Sequence, residues 1–230
     1  VSTRIQSLPR SERAAPDWGE WLLRLPPAGS LGDRHLGEIV VDHRTSWVRR
    51  LATSAGTVYV KTYEYLTWSS RLRGLWRWTS PWAAPRAVRE FDALEWLRTR
   101  VQAGPRPLAA LVERRLGFVC RATLLTTAHG DGSAASLLPQ LAPAERQQAG
   151  LAIVAFVRRM HELGFRDRNL DLRNLLLART GDGWQVAKID SPRHVLRRPG
   201  PPDDALARAD WARLLPQLRA LGLAVDTERR

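Results

Sequence analysis

One cysteine is too few for an internal disulfide. Cys120 stands alone, so the fold needs no oxidising compartment. Long apolar runs are missing too. The longest, Ala149–Val157, falls far short of the roughly 20 residues a spanning helix needs. The N-terminal stretch holds charges and prolines but no signal-peptide core, and the expectation is a cytoplasmic protein, peripheral to the inner membrane if it meets lipid. Acids are scarce beside bases, 23 against 36, leaving +13 carried mostly by arginine. That excess favours anionic partners: nucleic acid, acidic lipid or phosphorylated sugar. No RNP, helix-turn-helix or zinc motif supports nucleic acid, and the histidines lack metal-ligand spacing with one another or with Cys120. No G-x-G-x-x-G occurs among the early strands, so phosphate binding cannot be argued from a glycine-rich loop.

What is present is the make-up of a folded protein: 230 residues, 44% hydrophobic and 26% charged, enough for one large domain or two small lobes. Residues 1–35 mix Arg, Pro, Ser and Gly around one amphipathic piece, Asp17–Leu25, and read as a loose extension with a short docking helix. Three β-rich runs follow between Gly37 and Tyr65, and residues 106–127 read as further strands. Between them, Pro85 opens a helix with Val88, Phe91, Leu94 and Leu97 on one face. The Gly/Ser-rich His129–Ser136 reads as a hinge or loop. Pro143 starts a long helix, Ala144–Leu163, apolar all round at its centre and expected to be buried. Hairpin strands flank Arg179–Gly183, and a last amphipathic helix, Asp204–Leu221, is expected to break near Pro216.

Chemistry concentrates just after the long helix. Gly164 can end it in a left-handed turn, a polar loop of Arg, Asp and Asn follows, and Leu175–Leu177 reads as a buried strand. The spacing resembles the protein-kinase catalytic loop H-R-D-x-x-x-x-N, in which Asp takes the hydroxyl proton and Asn holds magnesium. Upstream, Lys61 ends a V-Y-V-K strand and Glu90 lies on the next helix; downstream, Asp190 follows the hairpin. In that order Lys61 would meet nucleotide phosphates, Glu90 would pair with it, and Asn174 and Asp190 would share Mg²⁺ through hard oxygen ligands.

More narrowly, the chain resembles the bacterial lipopolysaccharide kinase family, which includes the Kdo and heptose kinases. The resemblance runs from about Trp47 to Leu214. It rests on V-Y-V-K-T-Y at 58–63, P-R-A-V-R-E-F at 85–91, M-H-E-L-G-F-R at 160–166, L-D-L-R-N-L-L-L at 170–177 and K-I-D at 188–190, with Asp210 and Leu214 resembling the family's ending. It implies an α+β, two-lobed protein-kinase-like fold with a small β-rich N-lobe (36–127) and a mainly helical C-lobe (128–230). It also implies ATP and Mg²⁺ as cofactors and a sugar hydroxyl on a lipid A–core glycolipid as acceptor.

The loop departs from the family's H-R-D-L-x-L-R-N, reading D-R-N-L-D-L-R-N from Asp167 to Asn174, and Asp190 is followed by Ser191-Pro192. Anchored on Asn174, the pattern puts Asp167 at the His, Arg168 at the Arg and Asn169 at the base. A second register takes Phe165-Arg166-Asp167 as the motif and restores the base at Asp167, but it leaves Asn174 two residues too far along. The first register is adopted. Asn169 could still orient a hydroxyl, and Asp171 or Asp167 could accept a proton through water. The result is a slow kinase or a non-catalytic pseudokinase serving envelope assembly. Arg193–Arg198 could meet substrate phosphate or be a solvated charge run. Trp68, Trp76, Trp78 and Trp82 among Arg71, Arg73 and Arg77 read either as an anchor on anionic membrane or as core.

Overall fold

The β-rich texture of residues 37–65 and 106–127 becomes a single antiparallel sheet. A computed structural model describes residues 10–26, 30–201 and 204–224. The chain divides into two compact units, Val1–Asp92 with Arg106–Ala128, and Ala93–Pro105 with His129–Arg230.

In the first unit six strands run in the order β1-β5-β6-β4-β3-β2: β1 (Arg10–Ala14), β2 (Glu38–His43), β3 (Ser46–Thr53), β4 (Gly56–Glu64), β5 (Pro107–Arg115) and β6 (Phe118–Thr127). On β3, Trp47, Arg49 and Leu51 are buried in alternation, and on β4 so are Val58, Val60 and Thr62. Period two is what a pleated strand packed on one face requires. β5 instead buries Leu108–Val112 without a break, as a strand covered on both faces does.

The N-terminal stretch is not loose where it is described. β1 pairs with β5 through Ser11↔Leu111 and Ala14↔Ala109, and α1 (Trp18–Leu22) buries Trp18 and Trp21 in a core with Leu108, Leu111 and Leu125. β5 without β1 would be an open sheet edge, and covering an edge removes its unpaired backbone groups. Sequence texture could not supply this, because the partner strand lies about a hundred residues away.

α2 (Trp68–Arg73) and a π-helical turn, Leu75–Thr79, follow β4, and α3 (Arg86–Arg100) comes next. The second unit holds β7 (Gly132–Ser133), α4 (Ala134–Leu137), α5 (Pro143–Glu162), β8 (Phe165–Arg166), β9 (Leu175–Thr180), β10 (Gly183–Lys188), β11 (Val195–Leu196) and α6 (Ala205–Ala220). Its sheets are β10-β9-β7 and the pair β11-β8. The expected hinge at 129–136 therefore contains a short strand and a helix start, capped by Ser133 accepting from the Ser136 N–H. α5 buries Ala149, Ile153, Val154, Val157 and Met160 against Leu214 and Leu218. Leu151 is exposed, so one flank of this helix stays open, contrary to an all-round burial.

α6 runs through Pro216 unbroken. A proline removes one helix hydrogen bond, but Leu214 and Leu218 are both fully buried, and packing on either side holds the axis. Its N-cap is Asp204, which accepts from the Leu206 and Ala207 N–H groups at 2.9 and 3.0 Å and pairs with Arg166 at 2.7 Å. The Arg166 hydrogen bond holds the Asp204 carboxyl down to about 2, from an ordinary 3.8. A depressed carboxylate stabilises the fold above its unfolded value and loses that contribution as pH falls through its folded value. The melting-temperature gap between wild type and Asp204→Asn should therefore be full at neutral pH and close between about pH 4 and pH 2. Because Asp204 is partly exposed, an unchanged gap over that window would mean solvent screens the pair completely.

Candidate active site

Lys61 sits on β4, and its Nζ lies 2.9 Å from Glu90 Oε2 and 3.2 Å from Oε1. Glu90, on α3, is only 2% exposed. Burying a carboxylate is costly unless it is paired and hydrogen-bonded, and here Tyr63 Oη donates to the same group. The structure brings Lys61 and Glu90 together; Tyr63, two residues along the strand, was not singled out by the sequence.

In the second unit α5 ends in a turn at Gly164, with φ +93°. A Cβ there would lie 2.2 Å from the Arg197 carbonyl oxygen, so both the left-handed conformation and the close approach call for glycine. β8 then delivers the chain to Asp167. The N–H groups of Asp167 and Arg168 both donate to Asp210 of α6, each at 2.9 Å. His161 Nε2 lies 3.2 Å from the same carboxylate, while its Nδ1 is buried without a hydrogen-bond partner among the described residues. Arg168 is held at φ +62° and Asp190 at φ +60°, a conformation that non-glycine residues adopt at a cost and that clusters at functional sites.

Asn169, Asn174 and Asp190 meet. Asn169 Nδ2 donates to the Asp190 carbonyl at 3.4 Å and to its Oδ2 at 3.3 Å. Asn174 Nδ2 donates to the Asn169 carbonyl at 3.3 Å, and the Asn174 carbonyl accepts from the Ile189 N–H at 2.9 Å. β9 and β10 run in register from Leu175↔Lys188 to Thr180↔Gly183, and this hairpin is what carries residues 174 and 190 to the same end.

The other two carboxylates are occupied. Asp171 caps the short 3₁₀ turn Leu172–Asn174 and takes Arg173 at 3.0 Å; the Arg173 hydrogen bond holds its carboxyl below the ordinary range. Arg173 thus makes a structural salt bridge. Asp167 is fully buried and pairs with Lys188 at 3.1 Å. Burial pushes its carboxyl up, Lys188 opposes that, and Asp210 adds to it. Arg193, Arg197 and Arg198 are exposed beyond Asp190. Among the described residues no three His, Cys, Asp or Glu side chains are grouped to hold a metal. The Asp190 carboxylate and the Asn174 Oδ1, whose Nδ2 donates to the Asn169 carbonyl, are the hard oxygens of this loop, and such a pair would suit a Mg²⁺ that also binds phosphates and water.

Of the tryptophans, Trp78 is buried beneath the guanidinium groups of Arg86 and Arg89, 5.2 and 5.6 Å from its ring centre. It is core, not anchor. Trp68 packs edge-on against Phe118 yet remains 52% exposed, and Trp82 is 78% exposed. The side chains of Trp76, Arg73 and Arg77 lie outside the described residues. No helix among the described residues is long and apolar enough to cross a membrane.

A β-sheet unit with a lysine paired to a buried glutamate, and a helical unit with an Asn/Asp loop and hairpin, define a kinase-like α+β protein. The chain belongs to the lipopolysaccharide kinase (Kdo/WaaP) family, whose sequence model matches residues 40–225. That membership implies ATP-dependent kinase activity on the lipopolysaccharide core. The match begins within β2 and leaves β1 and α1 outside it. Among solved structures, the chain is similar to WaaP in complex with acyl carrier protein, with a TM-score of 0.60 and 17% identity over 90% of this chain and 80% of that one. At that identity the likeness speaks to the fold. No curated protein matches the chain at the sequence level.

Proposed function

We propose that this protein uses ATP and Mg²⁺ to phosphorylate a sugar hydroxyl on a lipid A–core glycolipid. The observation that carries the reading is the Asn169–Asn174–Asp190 cluster, in which Asn169 touches both other residues. Lys61, oriented by Glu90, binds nucleotide phosphates. Asn174 and Asp190 would hold the metal, Asn174 through its Oδ1, since its Nδ2 is donating. Bound Mg²⁺ supplies charge neutralisation on the transferring phosphates. Asn169 occupies the base position and orients the acceptor hydroxyl by hydrogen bonding. The exposed arginines at 193, 197 and 198 meet acidic groups of the acceptor.

Loss of a carboxylate base does not end such chemistry. A general base contributes about 10²–10⁴-fold, whereas phosphoryl transfer through a loose transition state draws mainly on alignment and charge. Full burial of Asp167 against Lys188 supports the register in which Asn169, not Asp167, faces the acceptor. The amide at 169 is also what favours a second reading, a pseudokinase that binds nucleotide without turnover. Transfer of labelled γ-phosphate from ATP to purified lipid A–core, with Asp190→Ala as control, tests the proposal. Label in the acceptor that vanishes in the variant supports it; nucleotide binding without transfer leaves the pseudokinase.

The same unit that carries Lys61 presents Trp68, Leu72, Trp82 and Leu116 to solvent, in a sequence without acid from Tyr65 to Arg89. These form the contact with anionic membrane at the cytoplasmic face, indoles at headgroup depth. Trp68→Ser with Trp82→Ser should lower binding to phosphatidylglycerol vesicles several-fold, and raising salt should lower it further as the screening length drops below about 10 Å. Trp78→Ala should instead lower the melting temperature. Vesicle binding that survives the double substitution would remove these indoles from the contact.

A further inference from the structure

We propose that Lys188 and Asp167 are positioning residues, a buried strut that fixes the backbone on which Asn169 and Asp190 sit. Which groups are positioned rests on the kinase reading above; the strut itself rests on geometry. Lys188 is the last residue of β10 and, like Asp167, is 0% exposed. Its ammonium reaches three oxygens: the Ile189 carbonyl, the Asp190 carbonyl at 3.5 Å and Asp167 Oδ2 at 3.1 Å. An ammonium has three protons on one point, so this set uses its whole capacity. Asp167 Oδ2 in turn accepts the Asn169 N–H at 3.1 Å. One pair therefore ties segment 167–169 to segment 188–190.

The tie acts beside a residue in the left-handed region. Asp190 stands at φ +60°, and the two carbonyls that Lys188 gathers flank that residue's own N–H. Holding them sets the turn that aims the Asp190 carboxylate toward Asn169, 3.3 Å away. Asp210 fixes the other side by taking the Asp167 and Arg168 N–H groups. The chain's use of lysine points the same way. Among 36 basic residues only Lys61 and Lys188 are lysine, and each meets a buried carboxylate. A planar guanidinium spreads five donors over a rigid fork and cannot converge on three oxygens around one point.

The plain alternative is a buried ion pair that serves stability alone. Such a pair can be exchanged for apolar side chains of similar size without loss of stability, while removal of one partner is damaging. The two ideas part in the double variant Asp167→Leu/Lys188→Met. Lys188→Met alone should lower the melting temperature sharply, and the double variant should regain most of it. With stability regained, amide hydrogen exchange across 167–174 and 189–192 should still run roughly tenfold faster than in wild type, the rest of the unit being unchanged. The Mg²⁺ concentration for half-maximal stabilisation by ATP should rise by a similar factor. Lys188→Arg keeps the charge and should show the same local exchange increase, so the question stays open to decision if the double variant does not fold. Wild-type exchange across both segments in either variant overturns the strut. If wild type shows no Mg²⁺-dependent effect of ATP, the kinase reading fails, and the exchange measurement still decides whether Lys188 positions this loop.

Discussion

Asn169→Asp should raise phosphate transfer to a lipid A–core acceptor, by at most the roughly 10²–10⁴-fold that a positioned general base contributes. The gain should appear only at saturating Mg²⁺. In the wild type Asn169 Nδ2 donates to Asp190 Oδ2 at 3.3 Å; a carboxylate there loses that bond and faces a like charge at the same distance. Metal would relieve the repulsion, and without it the variant should melt earlier than wild type. The other register, with Asp167 as base, makes a different forecast: Asn169→Asp changes little, and Asp167→Asn kills transfer while leaving stability alone. The buried pair argues against that outcome. Removing one partner of such a pair costs up to about 3–5 kcal/mol, so Asp167→Asn should show itself first as a lower melting temperature. An inactive but fully stable Asp167→Asn would reassign the base. If neither variant nor wild type transfers phosphate, the protein is a pseudokinase.

Asp190→Ala should abolish the Mg²⁺-dependent part of the stabilisation by ATP. A ligand that binds only the folded state adds RT ln(1 + [L]/Kd), about 2.7 kcal/mol at a hundredfold excess over Kd. With Asp190 gone, Asn174 alone cannot hold the cation, and what survives is the weaker metal-free binding. Lys61→Met should weaken the effect of ATP with or without metal, because it removes the phosphate contact and not the metal ligand. Glu90→Gln should do so less, since an amide can still accept from Lys61 Nζ. A stabilisation by MgATP that is indifferent to Asp190 would refute the metal assignment, and none at millimolar MgATP would refute nucleotide binding outright.

Much of the site is legible because it is written locally. The stop at Gly164, the polar loop, the buried strand after it and the hairpin with Asp190 are short-range features, each with a residue-level cause. The hairpin needs only Gly183 at φ +130° and alternating strands to bring residues 174 and 190 together. Lys61 and Glu90 lie 29 residues apart, yet a strand followed by an amphipathic helix was enough to suggest the pair. Asp171 was also offered as a proton acceptor, and only its ion pair with Arg173 shows that its carboxylate is engaged elsewhere.

The sequence by itself determined the main strands after Gly37, the long helices, the residue types at the loop and the amide at 169. Those follow from periodicity, turn chemistry and spacing, which act over a few residues. The tertiary structure alone decided which polar groups are buried and what they meet. Asp167 and Lys188 are ordinary charges until β10 and the loop enclose both. Asp210 looks like a helix-surface acid until α6 carries it to two backbone N–H groups 42 and 43 residues earlier. Trp78 and Trp82 differ only in which side of the chain is packed. Burial is a property of the assembled fold, and it is burial that turns a charge into a strut or an indole into core.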